Sequence, residues 1–180
     1  MLQDIIDNSC KEKEIQIYLQ EHPYILSNII GGYNEILPKF KLGSEYECDF
    51  LSFTKYSMRM EITIFELKLP NAKLLTTANI PTKDLSLAIS QVSKYMNWAK
   101  DNETYFRKQL FKRYAPNNKA YEQFYPLFEY HSVIIIGQRS QFSENENSYR
   151  KDFYRTSNGS IEIIPYDRLI ESENNNIYTQ

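Results

Sequence analysis

Apolar residues along the chain follow helical spacing in some stretches and strand alternation in others. Ile15, Tyr18 and Leu19 recur three and four apart among charges in residues 10–20. That spacing predicts an amphipathic helix that stops by His22-Pro23, because the residue before a proline is pushed out of the helical region. Ile36 to Leu42 then alternates, Gly43-Ser44 is a turn signal, and Tyr46 to Phe53 alternates again, which predicts an antiparallel hairpin. A third strand is predicted from Met60 to Leu69, rich in Ile, Thr and Phe and ended by Pro70. Leu85, Ala88, Ile89, Val92, Tyr95, Met96 and Ala99 mark a long second helix opened by Pro81-Thr82.

The stretch from Asn102 to Phe128 is polar, basic and aromatic, with a helix expected in its first half and a break at Pro116-Asn117-Asn118. Val133-Ile134-Ile135-Ile136 suits a strand covered on both faces. Glu144 to Tyr154 reads as helix, Ile161 to Ile164 as strand, and a short helix follows near Asp167. Asn174-Asn175-Asn176 marks a frayed tail over residues 172–180. The fold class is therefore α/β (α+β): a mixed central sheet flanked by helices, in the order αβββαβ with C-terminal additions. Neither an internal repeat nor a Gly/Ser linker divides the chain, so one domain over 1–180, with its core at about 10–170, is expected.

Composition narrows the chemistry. A chain of 180 residues that is 42% hydrophobic and 24% charged suits one globular core. No apolar run approaches the roughly 20 residues that cross a bilayer. The N-terminus lacks a basic region followed by an apolar stretch, so a cytoplasmic location is expected. Two cysteines and two histidines cannot build a disulfide framework, a zinc site or a multi-histidine centre unaided. Any metal would be held by carboxylates, which points to magnesium, manganese or calcium. A net charge of -2 excludes nucleic-acid binding by bulk charge, so a local basic surface would have to do it. The 15 tyrosines and 10 phenylalanines read as packing rather than base-stacking platforms.

The third strand holds the informative residues. Ile62, Ile64, Glu66 and Lys68 share one face, and Phe65, Leu67 and Leu69 the other, so two charges interrupt a strand that is otherwise apolar on both sides. Burying an ionised group costs several kcal/mol unless an ion or a partner compensates. Asp49 is the same anomaly in the hairpin, within Cys48-Asp49-Phe50-Leu51. If the two strands pair, Asp49 and Glu66 converge. With a backbone carbonyl such as that of Leu67 they supply part of an octahedral oxygen set. Lys68 is then placed to orient a water or to stabilise charge on a phosphate. A Glu-x-Lys triplet also arises by chance in a chain of this size, and the residues alone leave metal site and structural ion pair level. Gln91, beside the apolar stripe of its helix, either caps the core or faces the site. Glu14 could reach the same region, or belong to a solvated Lys11-Glu12-Lys13-Glu14 face.

Together Tyr18-Leu19-Gln20-Glu21-His22-Pro23, Phe40-Lys41-Leu42-Gly43 leading to Asp49-Phe50-Leu51, Phe65-Glu66-Leu67-Lys68-Leu69-Pro70 and Ala88-Ile89-Ser90-Gln91-Val92-Ser93-Lys94-Tyr95 with Trp98 resemble the nuclease domain of the Shedu anti-phage defence family. Ile134 to Arg139 and Ile161 to Ile170 resemble its later blocks, so the likeness spans about 12–170. That family is similar to, and placed within, the PD-(D/E)XK nucleases. The resemblance implies a restriction-endonuclease-like core and a metal-dependent endonuclease hydrolysing DNA with Mg2+ or Mn2+. It implies Asp49 and Glu66 as metal ligands, Lys68 as catalytic lysine and Gln91 as the motif glutamine, with a looser match at Glu14. Many members carry a sensing region ahead of the nuclease and this chain has almost none, which points to assembly or a regulatory partner for control. A homo-oligomer is expected because a small nuclease must cut two strands. The competing class is a nucleic-acid-binding or regulatory module that keeps the fold without cutting.

Candidate DNA contacts are Arg107, Lys108, Lys112 and Arg113, interleaved with Tyr105, Phe106 and Tyr114. Lys73 and Lys83 flank the site, and Arg139, Arg150 and Lys151 are further candidates. Such clusters are more often solvated helix faces. His22 and His131 read as structural.

Overall fold

The computed structural model describes residues 1–8, 11–31, 34–114 and 127–177. Its helices are α1 (Leu2–Asn8), α2 (Glu12–Glu21), α3 (Tyr24–Ile29), α4 (Lys83–Asp101), α5 (Glu103–Tyr114), α6 (Glu144–Thr156) and α7 (Asp167–Ile177). Its strands are β1 (Glu35–Leu42), β2 (Tyr46–Lys55), β3 (Arg59–Leu67), β4 (Leu127–Ile135) and β5 (Ile161–Ile164). They form one sheet in the order β1-β2-β3-β4-β5. The first three strands are antiparallel and the last three parallel, so the sheet is mixed.

Alternation along β3 divides the core. Ile62 and Ile64 join Leu51, Phe53 and Ile134 against Leu85, Ala88 and Val92 of α4 and Phe106 and Leu110 of α5. Phe65 and Leu67, on the opposite face, join Phe50, Val133 and Ile135 against Leu2 and Ile6 of α1, Ile15 and Leu19 of α2, Ile25 and Leu26 of α3, and Leu169 of α7. Each Leu, Ile, Val or Phe among them contributes about 1.5–3 kcal/mol by burial. Parallel pairing of β3 with β4 needs a long crossover, and α4 and α5 lie on it. The Thr82 hydroxyl caps α4, accepting from the Leu85 amide at 3.3 Å. At the hairpin turn Gly43 has φ 64, and a Cβ there would stand 2.6 Å from Cζ2 of Trp98, so both conformation and space demand glycine.

Helix, hairpin, third strand, long helix and later strands fall where the pattern predicts, with shifts at the ends. β3 stops at Leu67 rather than Leu69, and β4 begins at Leu127. Two helices go beyond the expectation, α1 and α3, each too short for periodicity to stand out. The frayed tail is corrected in part: α7 continues through Asn174–Asn176, and Ser172 and Glu173 are buried. Glu173 accepts from the Leu2 amide at 2.9 Å and from the Tyr18 hydroxyl, a contact across the whole chain that no local composition reveals. The break expected at Pro116-Asn117-Asn118, and residues 178–180, lie outside the described residues. Among the described residues no helix is long and apolar enough to cross a membrane.

Candidate active site

The β2–β3 ladder runs from Lys55–Met60 to Phe50–Phe65 and ends there, with Asp49 and Glu66 the next residues on each strand. Beyond the ladder, the Leu67 amide donates to Asp49 Oδ2 at 2.8 Å in place of a strand partner. The Leu67 carbonyl lies on that same strand edge, since a strand residue's N–H and C=O point the same way. Opposite Asp49, Lys39 has φ 48, a left-handed conformation that costs a non-glycine residue about 1 kcal/mol or more. Pairing keeps one register on both sides of it, Pro38 with Phe50 and Phe40 with Cys48. Leu37 before the kink and Phe40 and Leu42 after it all join the α4 side of the core, so the alternation reverses at Lys39.

Asp49 Oδ1 accepts from Gln16 Nε2 at 2.9 Å and from Lys39 Nζ at 3.3 Å. Glu66 is 4% exposed, and its Oε1 accepts from Lys68 Nζ at 2.8 Å. Burial first, then the nearby Asp49, push the Glu66 carboxyl up to about 7 despite Lys68. Glu12 is held above the usual carboxylate range by burial and by Asp49 and Asp84, against the opposing pull of Lys68 and Lys39. The cluster thus carries more carboxylates than ammonium groups. Tyr166, fully buried, donates from its hydroxyl to the Lys68 carbonyl at 2.7 Å and fixes the backbone beneath the lysine. Burial, then Glu12 and Asp49, hold that phenol neutral. From α4, Gln91 stands one helical turn before Tyr95, whose hydroxyl donates to the Glu47 carbonyl at 3.4 Å. Tyr95 packs in the core with Ile62 and Ile64, on the face of β3 that Glu66 shares, and burial and then Glu66 raise its phenol. Cys48 is a buried thiol pushed up by desolvation and by Asp49 and Glu66, hence unreactive.

Asp49, Glu66, Leu67, Lys68 and Gln91 are therefore brought to one region. Glu14 is not: it pairs with Lys11 at 3.5 Å on the surface. At 100° per residue Glu12 and Gln16 share a helix face, next to the buried Ile15 and Leu19, and Glu14 points elsewhere. Glu12, Gln16, Lys39, Tyr95 and Tyr166 escaped the sequence reading. Only the Glu12–Gln16 spacing beside Ile15 and Leu19 offered a signal.

Asp49, Glu66, the Leu67 carbonyl edge and Glu12 at the margin are oxygen donors of the kind that could hold a hard divalent cation. Among the described residues a tighter trio, Glu61, Glu129 and His131, lies elsewhere, Glu61 being about 16 Å along β3 from Glu66. There Arg59 already pairs with Glu129 at 3.4 Å. His131 Nδ1 sits 3.4 Å from the Gly159 carbonyl, and His22 stacks on Tyr18.

The basic candidates separate by environment. Arg107 is turned inward, paired with Glu103 at 2.7 Å and laid over the Phe128 ring. Arg139 pairs with Glu171 at 2.8 Å, and Arg150 donates to the Ile163 carbonyl at 2.9 Å. Lys73, Lys83, Lys108, Lys112, Arg113 and Lys151 are exposed.

A family model described as Shedu protein SduA, C-terminal, matches residues 9–170. No curated protein matches the chain. The carboxylate cluster, the strands that carry it and the helices that frame it all fall inside the family match, and the chain belongs to the family of the Shedu protein SduA C-terminal domain.

Proposed function

We propose that this domain is a divalent-metal-dependent endonuclease that hydrolyses DNA phosphodiester bonds in defence against phage, on a PD-(D/E)XK-type core. The observation that carries the reading is the meeting of Asp49, Glu66 and Lys68 at the end of the β2–β3 ladder, in a cluster with excess negative charge. Asp49, Glu66 and the Leu67 carbonyl would hold Mg2+ or Mn2+, with Glu12 rather than Glu14 at the margin. When bound, the ion supplies Lewis acidity and lowers the pKa of water. Lys68, anchored below by Tyr166, offers its ammonium to the negative charge that builds on the phosphate as water adds to phosphorus and the bond to a bridging oxygen breaks. Gln91, on the same helix as Tyr95, would orient that water or a phosphate oxygen. Family membership supports the defence role.

One observation favours a different reading. Asp49 and Glu66 already have protein donors, Gln16, Lys39, the Leu67 amide and Lys68, as a structural ion-pair network would. Calorimetric titration with Mn2+ separates the two. The nuclease reading predicts binding that Asp49→Asn and Glu66→Gln weaken at least tenfold. A folded wild-type protein that takes up no Mn2+ would leave the structural network.

A further inference from the structure

A groove of about 550 Å³ lies between β1 and α5, beside the candidate site. Lys39 and Lys41 line one wall, Lys112 and Arg113 the other, with Tyr105 and Gln109 between. Among the described residues its lining carries four cations and no carboxylate, in a chain of net charge -2. Lys39 joins the groove to the cluster, its Nζ lying 3.3 Å from Asp49 Oδ1. Arg113 is fixed in direction, donating to the Pro38 carbonyl at 3.1 Å with its guanidinium near the Phe40 ring. Tyr105 is 53% exposed and meets Trp98 in a T-shaped contact, the ring centroids 6.1 Å apart. Lys112 and Arg113 also suit the C-terminal end of α5, where cations are favoured. That explanation does not extend to Lys41 or to the open Tyr105.

We propose that this groove holds a single-stranded stretch of the DNA beside the phosphate to be cut. Its phosphates would lie along Lys39, Lys41, Lys112 and Arg113, and one unpaired base on Tyr105. The inference rests on the nuclease reading for its choice of DNA. Cations tracking a backbone next to an exposed aromatic ring are the elements of single-strand grooves. Duplex bases stack on one another and offer Tyr105 no face.

Fluorescence anisotropy tests this with the full chain, a labelled oligothymidylate and a hairpin duplex of equal length, across a salt series in EDTA. Binding without metal is read apart from cleavage, so failure of the nuclease reading leaves this result intact. The single strand is expected to bind more tightly than the duplex. Lys41→Ala with Lys112→Ala should reduce the slope of log K against log salt by about 0.7 for each lysine removed. Tyr105→Ala should weaken binding about 5- to 100-fold with the slope unchanged. Should that variant lose its fold along with the Trp98 contact, Tyr105→Leu keeps an apolar group there without a stacking face, and the same loss is expected. Unchanged affinity and slope in the folded variants would overturn the proposal. So would a preference for duplex, or binding of a glutamate-rich peptide where oligothymidylate fails.

Discussion

Lys39 combines a left-handed backbone with an ammonium beside Asp49, and the two roles can be separated. Lys39→Gly and Lys39→Ala both remove the charge, but only glycine accepts φ 48 without strain. Lys39→Gly should therefore be more stable than Lys39→Ala by about 1 kcal/mol in urea unfolding, and equal midpoints would count against strain at this position. Glu66 makes a pH prediction for the metal-free protein. Its carboxyl is raised to about 7, so between the ordinary carboxylate range and pH 7 the native state keeps a proton that the unfolded chain has released. Stability in EDTA should then fall as pH rises through that window and level off above it, by on the order of 2 kcal/mol. Glu66→Gln should flatten most of the change; Glu12, also raised, would account for a remainder. Melting curves at about pH 5 and about pH 8 suffice. At this scale the sequence announced Asp49, Glu66 and Lys68 because a charge inside an apolar strand is visible without any knowledge of contacts. Lys39 and Tyr166 were silent: one depends on a backbone angle and the other on a partner 98 positions away.

Among the elements, α4 was readable almost to the residue, since seven apolar positions repeat at helical spacing and a threonine caps them. α1 was not, because what orders it is the buried Glu173 carboxylate from the far end of the chain, and that same contact lies behind the unexpected length of α7 through Asn176. Glu173→Ala should release α1, seen as faster amide hydrogen exchange over Leu2–Asn8 with α4 unaffected. α6 has a comparable anchor. Glu146 completes the capping box with Ser143 and also accepts from the Leu74 and Leu75 amides at 2.9 and 3.2 Å, tying the segment after β3 to the helix. Burial opposes its ionisation, but the Ser143, Leu75 and Leu74 amides outweigh it and hold the carboxyl below its ordinary value. Its stabilisation is therefore complete above the ordinary carboxylate range and lost as pH falls through the lowered value. Glu146→Gln sets an amide against those donors and should cost about 2 kcal/mol at neutral pH in urea unfolding.

In the whole molecule, the mixed sheet gives two apolar faces their helices and leaves the charged residues at the end of the β2–β3 ladder. The order of helices and strands along the chain could be read from periodicity, and the order of strands within the sheet came with the fold. The kink that reverses the β1 alternation required the folded chain, whereas the helix face that presents Glu12 instead of Glu14 left a trace in the Glu12–Gln16 spacing. In the proposed mechanism Lys68 would act on the phosphate while Asp49 and Glu66 would hold the ion. Its most direct test is cleavage of plasmid and linear DNA in Mg2+ or Mn2+ by wild type and by Lys68→Ala, with folding checked by melting. The account predicts cleavage by wild type, none in EDTA, and a loss of at least about 100-fold in Lys68→Ala while Mn2+ binding persists. Cleavage by Lys68→Ala at the wild-type rate would contradict it.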